Sequence, residues 1–324
     1  MIAKHEPVYV AGHRGLAGGA ILRRLKAAGY TNLPVRTHAE LDLTDRRAVN
    51  AFFTESRPAV VFLAAAKVGG ILANSVWPAD FIRENLLIQS HVIDAAARVG
   101  VRRLFFLGSS CIYPKHAPQP LREEYLLSGP LEPTNSAYAV AKIAGIEMCR
   151  AYRRQCGLDA ISLMPTNLYG PGDNFDLQTS HVLAALIRKF HEAKIASVST
   201  VSIWGTGTPR REFLHVDDLA LACVFLLEQS SERVFGASFD GLLNVGTGED
   251  IEIRELAGLV RQITGCSAEL VFDHSKPDGT PRKLLDISRI RSLGWAPDIS
   301  LRVGVGDVCR WFAEHHAPAA MEAV

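Results

Sequence analysis

Residues 8–29 read VYVAGHRGLAGGAILRRLKAAG. Val8 to Ala11 make an apolar run of strand length, and residues 16–29 carry the apolar spacing of a helix. Between the two, Gly12, Gly15 and Gly18 form a GxxGxxG pattern. Glycines so spaced let the main chain turn tightly and approach a pyrophosphate, whose charge meets the free N–H groups opening the helix. A glycine pattern alone is weak; one that follows a first strand and opens a helix is a dinucleotide-binding signal. The loop Gly12-His13-Arg14-Gly15-Leu16-Ala17-Gly18 is therefore the expected phosphate cradle.

The alternation continues outward from this unit. Strands are expected at Leu33–Arg36, Ala59–Ala64, Arg103–Leu107 and Ala160–Leu163. Helices are expected over 45–56 (starting near Asp45, a suitable cap), from Pro78 to Val99, and over 136–155. Uninterrupted apolar strands alternating with helices predict a parallel sheet covered on both faces, a doubly wound α/β (Rossmann) fold. After Gly170-Pro171-Gly172 the regularity loosens. Helical stretches at 181–193, 217–229 and 252–264 separate short strands at 201–204, 242–245 and 269–272, and a last helix covers 302–315 before a tail expected to fray. The expected division is a dinucleotide-binding domain over 1–170, rejoined by segments near 201–245, and a smaller mixed α/β substrate domain mainly within 171–324.

Bulk properties narrow the function. The chain has 324 residues, 48% hydrophobic and 21% charged, with a net charge of +1. No basic block points to nucleic acid or an anionic membrane. Six scattered cysteines without a CxxC pair suit reduced thiols rather than disulfides or a metal site. The N-terminus lacks an apolar leader and no run of membrane-spanning length follows, so a cytoplasmic protein is expected.

The tip of the second strand carries Arg36, with His38 nearby and Arg14 in the glycine loop. Cations there favour the 2′-phosphate of NADP over the free hydroxyl of NAD, although Arg36 also reads as a solvated surface residue. Asp42 suits the adenine amino group and, equally, a turn. In YAVAK, Tyr138 and Lys142 stand four apart on one helix face. A phenol titrates at about 10, and an adjacent ammonium, with the charge of an oxidised nicotinamide, is expected to bring it within working range of neutral pH. Tyr138 then serves as proton donor to a carbonyl oxygen that Ser109, at the end of the strand 103–107, holds. Cys111 follows in GSSCIYP; by itself it reads as a packed thiol.

Taken together, GHRGLAG, GSSCIYP, EPTNSAYAVAK, MPTNLYGPGDNF, WGTGTPRREFLHVDD and KPDGTPRKLLD resemble the GDP-L-fucose synthases of the extended short-chain dehydrogenases/reductases, over essentially the whole chain. The resemblance implies two-step conversion of GDP-4-keto-6-deoxy-D-mannose to GDP-L-fucose: epimerisation at C3 and C5, then NADPH-dependent reduction at C4. It implies Ser109, Tyr138 and Lys142 as the reductase set and Cys111 and His181 as the acid/base pair of epimerisation. Free Cys and His titrate near about 8.5 and 6.5, bracketing neutrality. Besides the glycine loop, Leu107, Gly108, Lys142, Pro165, Asn167, Leu168 and His181 are implied to line the cofactor. Asn167, Lys189, Trp204, Arg211 and Asp278 are implied to hold the GDP-sugar, and a homodimer is implied through the helices near 78–99 and 136–155. Some members carry a second arginine where this chain has His38, which implies a weaker hold on the 2′-phosphate. A nucleotide-sugar 4-epimerase or dehydratase shares the fold and the Ser/Tyr/Lys set, but does not need Cys111 and His181; a non-catalytic NADP-binding regulator usually lacks the Tyr/Lys pair.

Overall fold

The computed structural model describes residues 2–236, 240–276 and 278–316. The tail from 317, which the sequence expects to fray, lies outside the described residues. In chain order the first elements are β1 (Val8–Ala11), α1 (Leu16–Ala27), α2 (Arg46–Ser56), β2 (Val60–Leu63), α3 (Ile71–Val76), α4 (Pro78–Val99), β3 (Arg103–Leu107), α5 (Ser136–Cys156) and β4 (Asp159–Pro165). There follow β5 (Asn167–Tyr169), α6 (Val182–Ile195), β6 (Thr200–Trp204), β7 (Arg210–His215), α7 (Val216–Leu227), α8 (Ser231–Phe235) and β8 (Leu242–Val245). The chain closes with β9 (Asp250–Glu252), α9 (Ile253–Thr264), β10 (Glu269–Asp273), β11 (Arg282–Lys283), α10 (Ser288–Ser292) and α11 (Leu301–His315).

The central sheet is parallel, in the order β1-β2-β3-β4-β8, and its strands are buried nearly throughout. Helices cover both faces, α1 packing on α7 and α4 on α2 and α5. The doubly wound α/β fold is thus present. Asp45 caps α2 as expected, its carboxylate accepting the N–H groups of Arg47 and Ala48. β10 pairs with β6, and β11, β7 and β5 form a small parallel sheet to which β9 adds an antiparallel edge. A second hydrophobic cluster, built from α6, β6, α9 and α11, packs beneath them.

The strand expected at Leu33–Arg36 is absent. The segment does run beside β1, where the Val8 N–H donates to the Asn32 carbonyl at 2.9 Å. A parallel ladder next needs the N–H of the residue two beyond Asn32, and that residue is Pro34, which has none.

Two contacts seat α5 against α4 and the sheet and so fix the residues it carries. The Gln89 amide on α4 donates to the Ala141 carbonyl at 2.7 Å. At Gly145 a Cβ would stand 2.3 Å from the Phe106 ring, so only glycine lets the helix approach β3 this closely. At the opposite end of β3, Arg103 is buried and pairs with Asp159 on β4 at 2.7 Å, while its Nη1 donates to the Leu226 carbonyl at 2.9 Å. That network clamps α7 to the sheet.

Candidate active site

The glycine loop has the shape its sequence predicts. Gly12 adopts φ +83°, and the Gly15 N–H donates to its carbonyl at 2.9 Å. A Cβ at Gly18 would lie 2.2 Å from the Gly12 oxygen, so the first turn of α1 and the loop touch backbone to backbone. α1 begins at Gly15 with no side-chain cap and no acidic residue in its first turn. Its N–H groups and positive dipole end are left for an anion. His13 Nδ1 is buried without a partner. These features fit a dinucleotide pyrophosphate.

At the expected ribose side Arg14, Arg36 and His38 are exposed. The Arg36 guanidinium lies 5.3 Å from the Phe52 ring centroid, and its Nη1 donates to the Val35 carbonyl at 2.9 Å. Glu40 is held below the usual carboxylate range chiefly by the Thr37 N–H, then by the Arg36 and Arg14 charges, so both arginines lie near one carboxylate. Asp42 is a turn residue: its Oδ1 accepts from the Thr44 N–H and hydroxyl, both at 2.8 Å.

Beyond β3, Ser109 caps a short helical turn over Ser110–Ile112. Its Oγ lies 2.8 Å from Cys111 Sγ. Tyr138, Phe81 and Ala73 enclose the thiol in a small apolar cluster. Lys142 is buried one turn along α5, donating to the Leu107 carbonyl at 2.7 Å and standing 5.7 Å from the Tyr138 ring centroid. Burial brings its pKa down to about 8, with the Cys111 charge acting in the opposite sense. The Tyr138 phenol is displaced upward. Burial pushes it well above its ordinary value, and the Cys111 charge pushes further. Desolvation outweighs the lysine because Lys142 directs its ammonium at a carbonyl and not at the phenol.

His181 stands at the N-cap position of α6, yet its ring makes no capping bond. The loop before it is fastened by Asp176, which accepts the Gln178 and Thr179 N–H groups at 3.0 Å, and by the Gly70 N–H donating to the Thr179 carbonyl at 3.1 Å. His181 is exposed at the surface yet crowded by the surrounding protein; that desolvation lowers its pKa, and the Lys283 charge lowers it further. Lys283 also lines a small cavity with Ser110, Cys111 and Thr280, so one lysine shares a cavity with the thiol and acts electrostatically on the imidazole. Lys283 lies within KPDGTPRKLLD, which did not single it out; the pairing of β11 with β7 brings it here.

Pro165, Thr166, Asn167 and Leu168 cross from β4 to β5. The Asn167 amide donates to the Glu212 carbonyl at 2.7 Å. Lys189 on α6 donates to the Ser202 carbonyl of β6 at 2.8 Å, and burial lowers its pKa. Trp204 is half exposed with the Lys276 ammonium 5.6 Å from its ring centroid. Asp278 is largely committed to Thr206, accepting its N–H at 2.7 Å and its hydroxyl at 2.9 Å. Arg211 lies close enough for the Asp278 charge to offset part of the downward shift that burial imposes on it. Among the described residues no cluster of three or more metal-ligating side chains occurs, and no helix is long and apolar enough to cross a membrane.

A parallel sheet entered through a glycine turn, with serine, tyrosine and lysine gathered beyond a central strand, defines a short-chain dehydrogenase/reductase. A family model described as the NAD dependent epimerase/dehydratase family matches residues 8–240. The probable GDP-L-fucose synthase 1 of Oryza sativa subsp. japonica is 60% identical over 315 residues, 96% of this chain and 93% of that protein. The GDP-L-fucose synthase of Escherichia coli (strain K12) is 53% identical over 312 residues, 96% of this chain and 97% of that protein. Among solved structures, MlghC, a GDP-mannoheptose C4 reductase from Campylobacter jejuni with NADP bound, matches with a TM-score of 0.88 and 39% identity, covering 96% of this chain and 99% of that one. The chain belongs to the NAD dependent epimerase/dehydratase family and, within it, to the GDP-L-fucose synthases.

Proposed function

We infer that the protein converts GDP-4-keto-6-deoxy-D-mannose to GDP-L-fucose by epimerisation at C3 and C5 and NADPH-dependent reduction of the C4 ketone. The observation that carries this reading is the contact between the Ser109 hydroxyl and the Cys111 thiol beside Tyr138 and Lys142. It sets an acid/base group for epimerisation against the reductase residues.

The ketone at C4 acidifies the protons on C3 and C5, since removal of either gives an enolate. Cys111 and His181 exchange those protons. A lowered imidazole pKa keeps His181 neutral and able to accept a proton at pH 7. The glycine loop, Arg14 and Arg36 hold NADPH, which when bound supplies the hydride to C4. Leu107, Gly108, Lys142 and the 165–168 crossing would line the bound cofactor. Tyr138 keeps its proton through neutral pH because burial raises its pKa, and it delivers that proton to O4 while Ser109 orients the oxygen. Lys189, Trp204 and Arg211 hold the GDP moiety, with Asp278 shaping the turn beside them. The protein works in the cytoplasm, a placement supported by six free cysteines. It works as a homodimer through α4 and α5, a face on which Val140 is exposed.

The test is turnover of GDP-4-keto-6-deoxymannose with NADPH in deuterated water. Loss of NADPH with deuterium at both C3 and C5 of the product is expected. NADPH loss without deuterium leaves a simple 4-reductase, and no turnover with either NADPH or NADH overturns the assignment.

A further inference from the structure

Glu212 on β7 is fully buried, 0% exposed, between Arg211 and Phe213. Its Oε1 accepts the N–H groups of Thr247 at 2.6 Å and Gly248 at 2.8 Å. Its Oε2 accepts the Leu285 N–H at 2.9 Å. Its own carbonyl accepts the Asn167 amide at 2.7 Å and the Thr166 hydroxyl at 3.2 Å. One residue therefore joins β7 to three other segments: the crossing after β4, the turn after β8 and the chain leaving β11. The fit leaves no slack on one side, since a Cβ at Gly246 would stand 2.2 Å from Oε1.

A carboxylate is a costly way to fill a core position. An apolar side chain would occupy the same volume without desolvating a charge. What the carboxylate adds is direction, because main-chain donors from two separate segments converge on its two oxygens. The segment with most to gain is β11, which pairs with β7 over only two residues, Arg282 with Arg210 and Lys283 with Arg211. So short a ladder specifies its register weakly. The Leu285–Glu212 bond lies two residues beyond Lys283 and ties that end of β11 to β7, while the Leu121 main chain, bonded to Leu284 and Asp286, holds the same stretch from its other side. Arg211 and Lys283 are thereby a cross-strand pair of cations, one near Asp278 and the other beside His181.

We propose that Glu212 is a positioning residue for substrate binding, holding β11 in register on β7 so that Arg211 and Lys283 keep the spacing a nucleoside diphosphate requires. The proposal rests on the GDP-sugar reading above. Glu212 itself touches no substrate and acts through the two cations. Glu212→Gln puts an NH₂ where one oxygen accepts a main-chain N–H, so one of the two attachments is lost while the side chain keeps its volume.

Wild type, Glu212→Gln and Gly246→Ala are titrated with GDP by calorimetry and with NADPH by fluorescence, and their KM and kcat for the GDP-sugar are measured. In Glu212→Gln, GDP affinity is expected to fall by about tenfold or more, with KM rising in parallel, NADPH affinity unchanged and kcat within about threefold. Gly246→Ala, whose methyl displaces Oε1 while keeping the carboxylate, is expected to shift GDP affinity in the same direction, and it answers the question if Glu212→Gln does not fold. GDP affinity and KM at wild-type values in the folded variants overturn the proposal. Equal losses of GDP and NADPH affinity also overturn it, because they mark a general loosening. Failure of the wild type to bind GDP overturns the reading of the site on which the proposal stands.

Discussion

The hydroxyl of Ser109 lies 2.8 Å from the Cys111 thiol and also accepts the Cys111 N–H at 3.3 Å. One short turn thus places a group suited to orienting a ketone oxygen against a group suited to exchanging a carbon-bound proton. Replacement of the thiol separates the two tasks. In Cys111→Ser, deuterium incorporation at C3 and C5 is expected to fall by about 10²- to 10⁴-fold, the usual contribution of a positioned acid or base. NADPH affinity is expected to stay unchanged, because the thiol is walled by Ala73, Phe81 and Tyr138 and not by the glycine loop. Mass spectrometry of the product pool is the readout, and wild-type exchange rates in the variant would remove Cys111 from the epimerisation.

Tyr138→Phe gives the complementary result. The phenol ring packs edge-on against Phe81 at 6.3 Å between centroids, so loss of the hydroxyl leaves the packing in place. NADPH consumption is expected to fall by about 10²-fold or more while deuterium still enters C3 and C5. Loss of both activities together would show that Tyr138 serves the epimerisation as well.

The two ends of the pH profile belong to different residues. Burial lowers the Lys142 pKa to about 8, so its cation is present below that pH and lost above it. Reductase kcat/KM is expected to hold through neutrality and then fall about tenfold per pH unit beyond the limb. The Cys111 charge props this pKa up, so Cys111→Ser is expected to move the limb to lower pH. His181 is depressed from its ordinary value by the desolvation that the surrounding protein imposes and then by Lys283, so the acid limb of deuterium exchange is expected below about 6.5. A profile flat through pH 9 would separate Lys142 from the rate.

The residues legible in the sequence were those whose role is set by near neighbours in the chain. Gly12, Gly15 and Gly18 declare a turn because strand, loop and helix are contiguous, and Tyr138 and Lys142 declare a face because helical spacing is local. The edge segment at 33–36 carried an apolar strand pattern, but pattern says nothing of which N–H the ladder needs, and the one needed fell on Pro34. β5, β7, β9 and β11 are short, and what defines them is each other, across separations from about 40 to about 70 residues. Lys283 and Glu212 went unnoticed for the same reason, since a cation beside His181 and a carboxylate aimed at Leu285 exist only once those strands pair. The raised Tyr138 pKa was also outside the reach of sequence, because burial decides it and burial is a property of the fold.

Cofactor choice turns on a carboxylate as much as on the arginines. Arg14 and Arg36 both act on Glu40, whose Oε2 accepts the Thr37 N–H at 2.7 Å, so the expected 2′-phosphate site already holds one internal anion. A bound 2′-phosphate gains charge-assisted bonds from the guanidinium groups and meets repulsion from Glu40. Arg36→Ala is therefore expected to weaken NADPH by about tenfold to a hundredfold, the range for a charged hydrogen bond of roughly 1.5–3 kcal/mol, with little change for NADH. Glu40→Gln is expected to tighten NADPH and leave NADH alone, because only the phosphorylated cofactor brings a charge to that place. Arg36 also lies over the Phe52 ring, so a purely packing role predicts something different: equal losses for both cofactors and a lower melting temperature. Fluorescence titration of each variant with each cofactor separates the two accounts. Equal losses in Arg36→Ala would shift the 2′-phosphate contact away from Arg36 and onto Arg14.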